Sequence, residues 1–175
     1  MLTLKGERVY LRALEPEDLE LIYAIENDES VWEVSQTQTP YSRFLIKQYL
    51  DNCHKDIYEV KQLRMVICTT AHVAIGFVDL FDFDPKNDKV GLGILILSNQ
   101  RGQKYGEEAL RLIVDYGFKN LNLRQIYANV LEDNLPSINL FEKIGFVAAG
   151  LKKDWVLENG TYKNEYLFQL IKDVH

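Results

Sequence analysis

The stretch of residues 90–110 constrains the fold more than any other part of the sequence. It runs VGLGILILSNQRGQKYGEEAL, an apolar segment that passes through a short polar turn directly into a helical pattern. The first N–H groups of a helix have no internal partners and carry the positive end of the helix dipole. Main-chain donors at this turn would therefore bind a diphosphate, with the small residues Gly102 and Gly106 leaving room for it. A tight turn that merely requires glycine is the alternative interpretation.

The remaining segments predict a mixed α/β fold. Predicted strands cover residues 9–14, 63–69, 73–83, 89–97, 124–131, 146–157 and 161–171, and predicted helices cover residues 15–26, 42–53, 106–120 and 136–144. Residues 28–40 are predicted to form a loop. This order, with an antiparallel meander in the middle, predicts a mostly antiparallel mixed sheet flanked by helices. The length of 175 residues predicts one domain over residues 1–175.

Composition restricts the location and the partners. The first ten residues contain Lys5, Glu7 and Arg8 and lack the apolar core of a signal peptide, and the apolar run at residues 90–97 is too short to cross a bilayer. We therefore expect a cytoplasmic protein without a membrane partner. The net charge of −6 argues against nucleic acid as a partner and is compatible with a cationic substrate.

Metal binding and covalent catalysis are not indicated. Two cysteines and three histidines are scattered without metal-ligand spacing, at Cys53, Cys68, His54, His72 and His175. No Ser-His-Asp or Cys-His arrangement with recognisable spacing is present. We therefore expect no metal and no covalent enzyme intermediate.

Two motifs carry a family resemblance. The first turn is RGQKYG at residues 101–106, and after the next strand come NLPS at residues 134–137 and FEKIGF at residues 141–146. Together they resemble the GNAT acetyltransferase superfamily, whose patterns are R/Q-x-x-G-x-G/A, then N-x-x-S and F/Y-x-K-x-G-F. The resemblance covers nearly the whole chain. LRALEPEDL at residues 11–19 and NGTYKN at residues 159–164 look like the branch that contains spermidine acetyltransferases and ribosomal-protein N-terminal acetyltransferases.

The resemblance implies the GNAT fold, with splayed middle strands and often a bulge in the strand before the turn. It also implies acetyl-CoA as co-substrate, with pantetheine along residues 94–96, the diphosphate on the amides of residues 101–107, and a second wall formed by the later helix. A main-chain amide of residues 94–96 is expected to stabilise the oxyanion. The residues predicted to bind acetyl-CoA are Ile94, Leu95, Ile96, Arg101, Gly102, Gln103, Lys104, Tyr105, Gly106, Glu107, Asn134, Ser137, Asn139, Phe141 and Lys143.

The chain departs from the family pattern at two positions. Lys104 replaces the middle glycine, and its ammonium group is compatible with CoA binding if it points outward or pairs with a phosphate. Phe141 stands where spermidine acetyltransferases carry a tyrosine that is thought to protonate the leaving thiolate. Phenylalanine cannot donate a proton, so the general acid is unassigned. The phenols nearest to the motifs are Tyr105 and Tyr162.

Acidic residues in the strand at residues 73–83 are candidates for contact with the amine acceptor. Strict alternation places Ile75, Phe77, Asp79, Phe81 and Phe83 on one face and Val78, Leu80 and Asp82 on the other. Asp79 interrupts an apolar face, so it is interpreted as a catalytic base or substrate contact, or else as a structural hydrogen-bonding group. Asp82 is the weaker catalytic candidate, because it is also compatible with a strand end in solvent.

A second acidic group lies between the first two predicted helices. Glu26, Asp28, Glu29 and Glu33 form either an acidic funnel for an amine or a solvated charge run. Glu33 and Trp32 are candidate substrate contacts, the latter through its aromatic face.

These observations together predict direct acetyl transfer from acetyl-CoA to a primary amine, with a polyamine or diamine favoured. The alternatives are N-terminal acetylation of a protein and CoA binding without transfer. The edge strand of the C-terminal hairpin indicates a possible homo-oligomer.

Overall fold

The computed structural model describes residues 4–35 and 37–173, without the side chains of Glu33 and Val34. The strands are β1 (Val9–Ala13), β2 (Leu63–Thr69), β3 (Ala74–Asp84), β4 (Lys89–Ile96), β5 (Gln125–Leu131), β6 (Val147–Glu158) and β7 (Thr161–Ile171). The helices are α1 (Leu19–Glu26), α2 (Glu29–Ser35), α3 (Arg43–Asp51), α4 (Ile57–Val60), α5 (Tyr105–Lys119) and α6 (Leu135–Ile144), with 3-10 turns at Pro16–Asp18 and Ser98–Gln100. No helix within the described residues is long and apolar enough to cross a membrane.

The sheet has seven strands in the order β1-β2-β3-β4-β5-β7-β6. All neighbours are antiparallel except β4 and β5, which pair in parallel only between Lys89–Gly91 and residues 125–127. The two strands separate beyond Gly91, so the expected splay at the centre of the sheet is confirmed. The expected bulge in β4 was wrong, because its register with β3 runs without a shift from Gly91 to Ile96.

Helices cover both faces of the sheet. The long helix α5 buries the apolar stripe Ala109, Leu110 and Ile113 against one face, as its helical spacing predicted. On the opposite face, Ile22 of α1 and Ile46 of α3 pack over Phe77 of β3 in a second core. The helical spacing of Leu45, Ile46, Tyr49 and Leu50 predicts one inward face, and this is wrong at Leu45, which is 47% exposed.

Two bulges in β3 overturn the strict alternation predicted for it. Ile67 pairs with Gly76 while Cys68 pairs with Ala74, so Ile75 is an extra residue in β3. A second shift falls at Asp82, whose φ of 49° lies in the left-handed region. Each extra residue reverses the face of the strand that follows it. Ile75 and Phe83 therefore pack in the α5 core, on the face opposite to Phe77 and Asp79.

The predicted loop at residues 28–40 was wrong in its first part, which forms α2. The side chain of Asp28 accepts hydrogen bonds from the N–H (3.0 Å) and the hydroxyl (2.6 Å) of Ser30 and so begins this short helix. The helix has only seven residues, too few for its apolar positions to give a helical period in the sequence.

Candidate active site

A cleft of about 670 Å³ opens where β4 and β5 separate. One wall runs from β4 through the turn into α5, and the other is the start of α6. Every residue predicted to bind acetyl-CoA lines this cleft except Phe141. Its lining residues are Ser30, Val31, Ile94, Leu95, Ile96, Gln100, Arg101, Gly102, Gln103, Lys104, Tyr105, Gly106, Glu107, Leu131, Asp133, Asn134, Pro136, Ser137, Asn139, Leu140 and Lys143.

The exposed edge of β4 presents main-chain groups to this cleft. The N–H of Leu97 donates to the carbonyl of Ile75 at 2.8 Å, which fixes the phase of the hydrogen-bonded pairs between β3 and β4. In an antiparallel pair, alternate residues direct both main-chain groups to the same neighbour. Ile94 and Ile96 therefore direct their N–H and carbonyl groups into the cleft. In agreement, the Nε of Arg101 donates to the Ile96 carbonyl at 3.0 Å.

The start of α5 presents its first N–H groups to the same cleft. The turn before it contains two residues with positive φ, Gly102 (76°) and Lys104 (63°), and Lys104 is the N-cap of the helix. The carboxylate of Glu107 in the first turn is held by Lys143 at 2.9 Å and by Arg111 at 3.1 Å. Hydrogen bonds from these two cations, Lys143 first, hold the pKa of Glu107 below its usual range. Because these two cations neutralise Glu107, its charge does not repel an anion bound by the main-chain N–H groups of the turn.

The second wall begins with a side-chain cap at the start of α6. The side chain of Asn134 accepts a hydrogen bond from the N–H of Ser137 at 3.3 Å, which starts α6 beside the cleft. Phe141, two turns later, is only 4% exposed and packs edge-on against Phe146 with ring centroids 5.1 Å apart. Its predicted contact with the co-substrate is therefore corrected: Phe141 does not line the cleft, because its ring packs in the core against Phe146.

The left-handed conformation of Lys104 predicts that glycine at this position stabilises the protein. A non-glycine residue in the left-handed conformation costs roughly 1–2 kcal/mol, so we expect Lys104→Gly to stabilise the fold by up to about 1 kcal/mol after the entropy cost of glycine. Urea unfolding of the two proteins measures this difference. Lys119→Gly, in the last turn of α5, is the control and should destabilise the protein. Lower stability of Lys104→Gly would contradict the assigned strain.

A second cleft of about 620 Å³ lies on the other face of the sheet, between α1, α3 and the strands β2 and β3. Its lining residues are Ile22, Glu26, Tyr41, Leu45, Ile46, Gln48, Tyr49, Asn52, Gln62, Leu63, Arg64, Asp79, Leu80 and Phe81. Burial raises the pKa of the Tyr49 phenol, so Tyr49 stays protonated at neutral pH. The cleft is mainly apolar, with its charged groups concentrated at one place.

Those charged groups are Arg64, Asp79 and Glu26. The Arg64 guanidinium donates to both oxygens of Asp79, at 2.6 and 3.0 Å, and to Glu26 at 2.6 Å. Arg64 and Asp79 are direct cross-strand partners on β2 and β3. Burial lowers the pKa of Arg64, but the charges and hydrogen bonds of Asp79 and Glu26 outweigh it and raise that pKa above its usual value. The predicted site residue Asp79 therefore lies in a cleft, but as one member of an ion-pair cluster.

The other predicted acceptor residues are dispersed. Asp82 is exposed at the bulge of β3 and lines neither cleft. The indole N–H of Trp32 donates to the Glu26 carbonyl at 2.8 Å, which packs α2 onto α1 and leaves Trp32 outside the lining of either cleft. The side chain of Glu33 lies outside the description. Of the described acids in the predicted cluster at residues 26–33, only Glu26 lines the second cleft.

Two glycines in β4 shape the surface between the clefts. A Cβ on Gly91 would lie 2.2 Å from the ring of Phe81, so that ring occupies the position of the missing side chain. A Cβ on Gly93 would meet nothing within 4 Å. Gly93 is the direct partner of Asp79, and cross-strand partners point to the same face. The second cleft therefore has open space beside Asp79, next to the edge of β4 that forms the first cleft.

A splayed strand edge joined to a helix N-terminus, with a second cleft opening beside that strand, defines a transferase that binds an acyl-CoA and an acceptor. The chain belongs to the acetyltransferase (GNAT) domain family, whose pattern matches residues 8–147. It is an N-acetyltransferase, and acetyl-CoA is its co-substrate. Within the described residues, no three of the side chains His, Cys, Asp and Glu converge as metal ligands would.

Individual relatives include polyamine enzymes. The chain is 30% identical over 156 residues to the spermidine N(1)-acetyltransferase of Escherichia coli K12, covering 89% of this chain and 82% of that one. A dodecameric structure of the Vibrio cholerae spermidine N-acetyltransferase matches with a TM-score of 0.80 at 27% identity, covering 95% of each chain. The same Vibrio enzyme in complex with CoA and spermine gives a TM-score of 0.87 at 23% identity, covering 95% of this chain and 96% of that one.

The sequence did not predict that Arg64 and Tyr49 line the second cleft or that Gly93 leaves open space on the same face. Arg64 lies 15 residues before Asp79, and no local pattern links the two. Gly93 was visible only as part of an apolar run. Its position opposite Asp79 depends on the pairing register, which was not predicted.

Proposed function

We propose that this protein transfers the acetyl group of acetyl-CoA directly to a primary amine of a diamine or polyamine. The observation that carries the proposal is the placement of two carboxylates, Asp79 and Glu26, in a cleft that opens beside Gly93 and the edge of β4. Carboxylates in a partly closed apolar cleft attract ammonium groups. The spermidine acetyltransferases among the relatives support this substrate class.

The catalytic geometry follows from the strand edge. Pantetheine pairing with Ile94 and Ile96 would place the thioester beside Gly93, and a free N–H of this edge would stabilise the developing oxyanion. An alkylammonium, with a pKa of about 10.4, must lose one proton to water before the nitrogen attacks, and a second proton lost from the nitrogen ends on the departing CoA thiolate. Both oxygens of Asp79 accept hydrogen bonds from Arg64 and still retain lone pairs, so Asp79 is able to accept a further hydrogen bond from the amine. Positioning of the reactants contributes up to roughly 7–11 kcal/mol in favourable cases.

Release of the CoA thiol tests the proposal. The purified protein with acetyl-CoA is assayed against spermidine, spermine, putrescine, aminoglycosides, amino acids and N-terminal peptides, each with a blank lacking the amine. We expect release with diamines or polyamines. Asp79→Asn should lower kcat/KM by about 10- to 100-fold, as expected for the loss of a hydrogen bond to a charged group. Asp115→Asn, an exposed carboxylate paired with Lys119 on α5, should leave kcat/KM unchanged.

Two results would contradict the proposed substrate. Release with peptides alone would identify an N-terminal protein acetyltransferase. If no amine raises release while acetyl-CoA still binds, the protein is a CoA-binding protein without transferase activity on these acceptors. A cytoplasmic location stays a prediction from the sequence.

We also propose that the chain assembles with copies of itself through β6. This strand is a sheet edge with 12 residues, and Val147 (69%), Trp155 (59%) and Leu157 (59%) are largely exposed on it. An exposed edge with apolar side chains favours pairing with another chain. Light scattering should give a multiple of 20.4 kDa for the wild type and a smaller mass for Val147→Lys with Leu157→Lys. A monomeric wild type would contradict the proposal.

A further inference from the structure

The acceptor cleft contains a permanent cation, and the mechanism above does not require one. Arg64 is the one Lys or Arg among the described residues that line this cleft, and it lies between the carboxylates of Asp79 and Glu26. Its side chain is only 17% exposed, and its guanidinium stacks over the ring of Phe77 at 4.8 Å. Three hydrogen bonds and a ring contact leave it little freedom to move aside for a ligand.

We propose that Arg64 sets the charge selectivity of the acceptor cleft, so that it favours an amine with one ammonium group beyond the reacting nitrogen. This assignment rests on the proposed amine acetylation. One guanidinium against two carboxylates leaves a net charge of −1 in the described lining. The reacting nitrogen must be neutral, so a diamine carries one remaining positive charge into the cleft and matches this value. Spermidine and spermine carry two or three remaining charges, and Arg64 repels the excess.

The apolar part of the cleft fits the same acceptor. Ile22, Leu45, Ile46 and Phe81 line the cleft that holds the ion cluster, on the face of the sheet where Gly93 leaves open space. With the reacting nitrogen beside Asp79, a methylene chain packs favourably against such side chains and leaves its distal ammonium near Glu26. The lining also contains the phenols of Tyr41 and Tyr49, and burial raises the pKa of Tyr49, so that this phenol adds no negative charge. The cluster around Arg64 therefore determines the charge of the cleft.

The test compares two acceptors that differ by one ammonium group, 1,5-diaminopentane and spermidine. For each protein, kcat/KM is measured for both amines, and the spermidine-to-diamine ratio is the readout. Arg64→Met changes the charge of the cleft to −2, and this ratio should rise about tenfold or more. Combining Arg64→Met with Asp79→Asn restores −1, and the ratio should return to within about twofold of the wild type. Arg64→Lys keeps the charge and should keep the ratio.

Each outcome separates charge from packing. An unchanged ratio in Arg64→Met would overturn the assignment. A ratio that stays shifted in the double variant would also overturn it, because a purely structural effect of losing Arg64 would not be reversed by removing a second charge. Circular dichroism melting identifies any variant that fails to fold. If Arg64→Met does not fold, Arg64→Lys, which keeps the charge of the cleft, is compared with Asp79→Asn, which makes the cleft neutral. The spermidine-to-diamine ratio should then be lower in Asp79→Asn.

Equilibrium binding distinguishes this inference from the proposed function. The affinities of both amines for the protein saturated with CoA are measured by calorimetry, without turnover. A shift of the affinity ratio with Arg64→Met, in a protein that releases no CoA thiol from acetyl-CoA, would support the role of Arg64 and refute the proposed function. Turnover of amines by the wild type, with the same affinity ratio in both proteins, would refute the role of Arg64 alone.

Discussion

Gly93→Val should abolish most amine-dependent release of CoA while leaving the affinity for acetyl-CoA within about twofold of the wild type. The position of the missing side chain is open space, on the same face as Asp79 and between the two clefts. An amine must approach the thioester carbon to about 3–3.5 Å, and displacement by about 1 Å can cost roughly 100-fold. We therefore expect kcat/KM to fall by about 100-fold or more. The measurement combines initial rates of thiol release with calorimetric titration of CoA.

The control for this prediction is a second strand glycine with open space around it. Gly150 in β6 also has nothing within 4 Å of an added Cβ and lines neither cleft. Gly150→Val should retain wild-type kcat/KM. If Gly93→Val also retained it, the amine would approach the thioester by another route, and the second cleft would not be the acceptor site.

Asp18→Asn should lower the free energy of unfolding by about 3 kcal/mol at pH 7, as expected when a buried, hydrogen-bonded charge pair is broken. Asp18 is only 5% exposed, and its two oxygens each accept a hydrogen bond from Arg12 at 2.8 Å. It also accepts the N–H of Glu15 at 2.8 Å, which holds the turn that leads into α1. Loss of this cluster would detach the start of α1 from β1.

The pH dependence of this effect has a definite sign. Burial raises the pKa of Asp18, but the hydrogen bonds from Arg12 and Glu15 outweigh it, so the pKa lies below its usual value. A lowered folded-state pKa stabilises the protein above the unfolded pKa of about 3.9, and this stabilisation is lost as the pH falls through the folded value. Urea unfolding at pH 7 and near pH 3 should therefore show the difference between wild type and Asp18→Asn shrinking in acid. Glu17→Gln, exposed in the same turn, should change stability by less than about 0.5 kcal/mol. A difference that is constant with pH would show that the charge of Asp18 contributes nothing.

Most residues that line the first cleft could be predicted from the sequence because they lie in two local segments. Residues 94–107 supply both the free edge of a strand and the first N–H groups of the helix that follows it, and these are main-chain groups of one continuous segment. Asn134 caps α6 through a contact three residues away. The family motifs lie on these same segments, and the structure brings them together at the point where β4 and β5 separate. The burial of Phe141 was not predicted, because a position in a helix does not by itself say whether its side chain lies in the core.

The acceptor cleft depended on long-range pairing instead. Arg64, Asp79 and Gly93 form one row across β2, β3 and β4. If Ile75 paired with Ile67 instead of bulging out, the register set by Cys68 and Ala74 would place Arg64 opposite Val78 and not opposite Asp79. A bulge is set by packing on both faces of the sheet, which no local pattern records.

The sequence by itself thus determined the order of the seven strands and of four of the six described helices, all but α2 and α4, since these follow from local patterns of apolar, capping and turn residues. Its motifs also carried the resemblance to the family. Only the tertiary structure decided that Asp79 is paired with Arg64 and Glu26 and that Gly93 opens beside it. The contact of Arg64 with Asp79 arises from strand register across 15 positions, and its contact with Glu26 from the packing of α1 on the sheet across 38 positions. In both cases the free energy of packing, rather than local propensity, selects the arrangement.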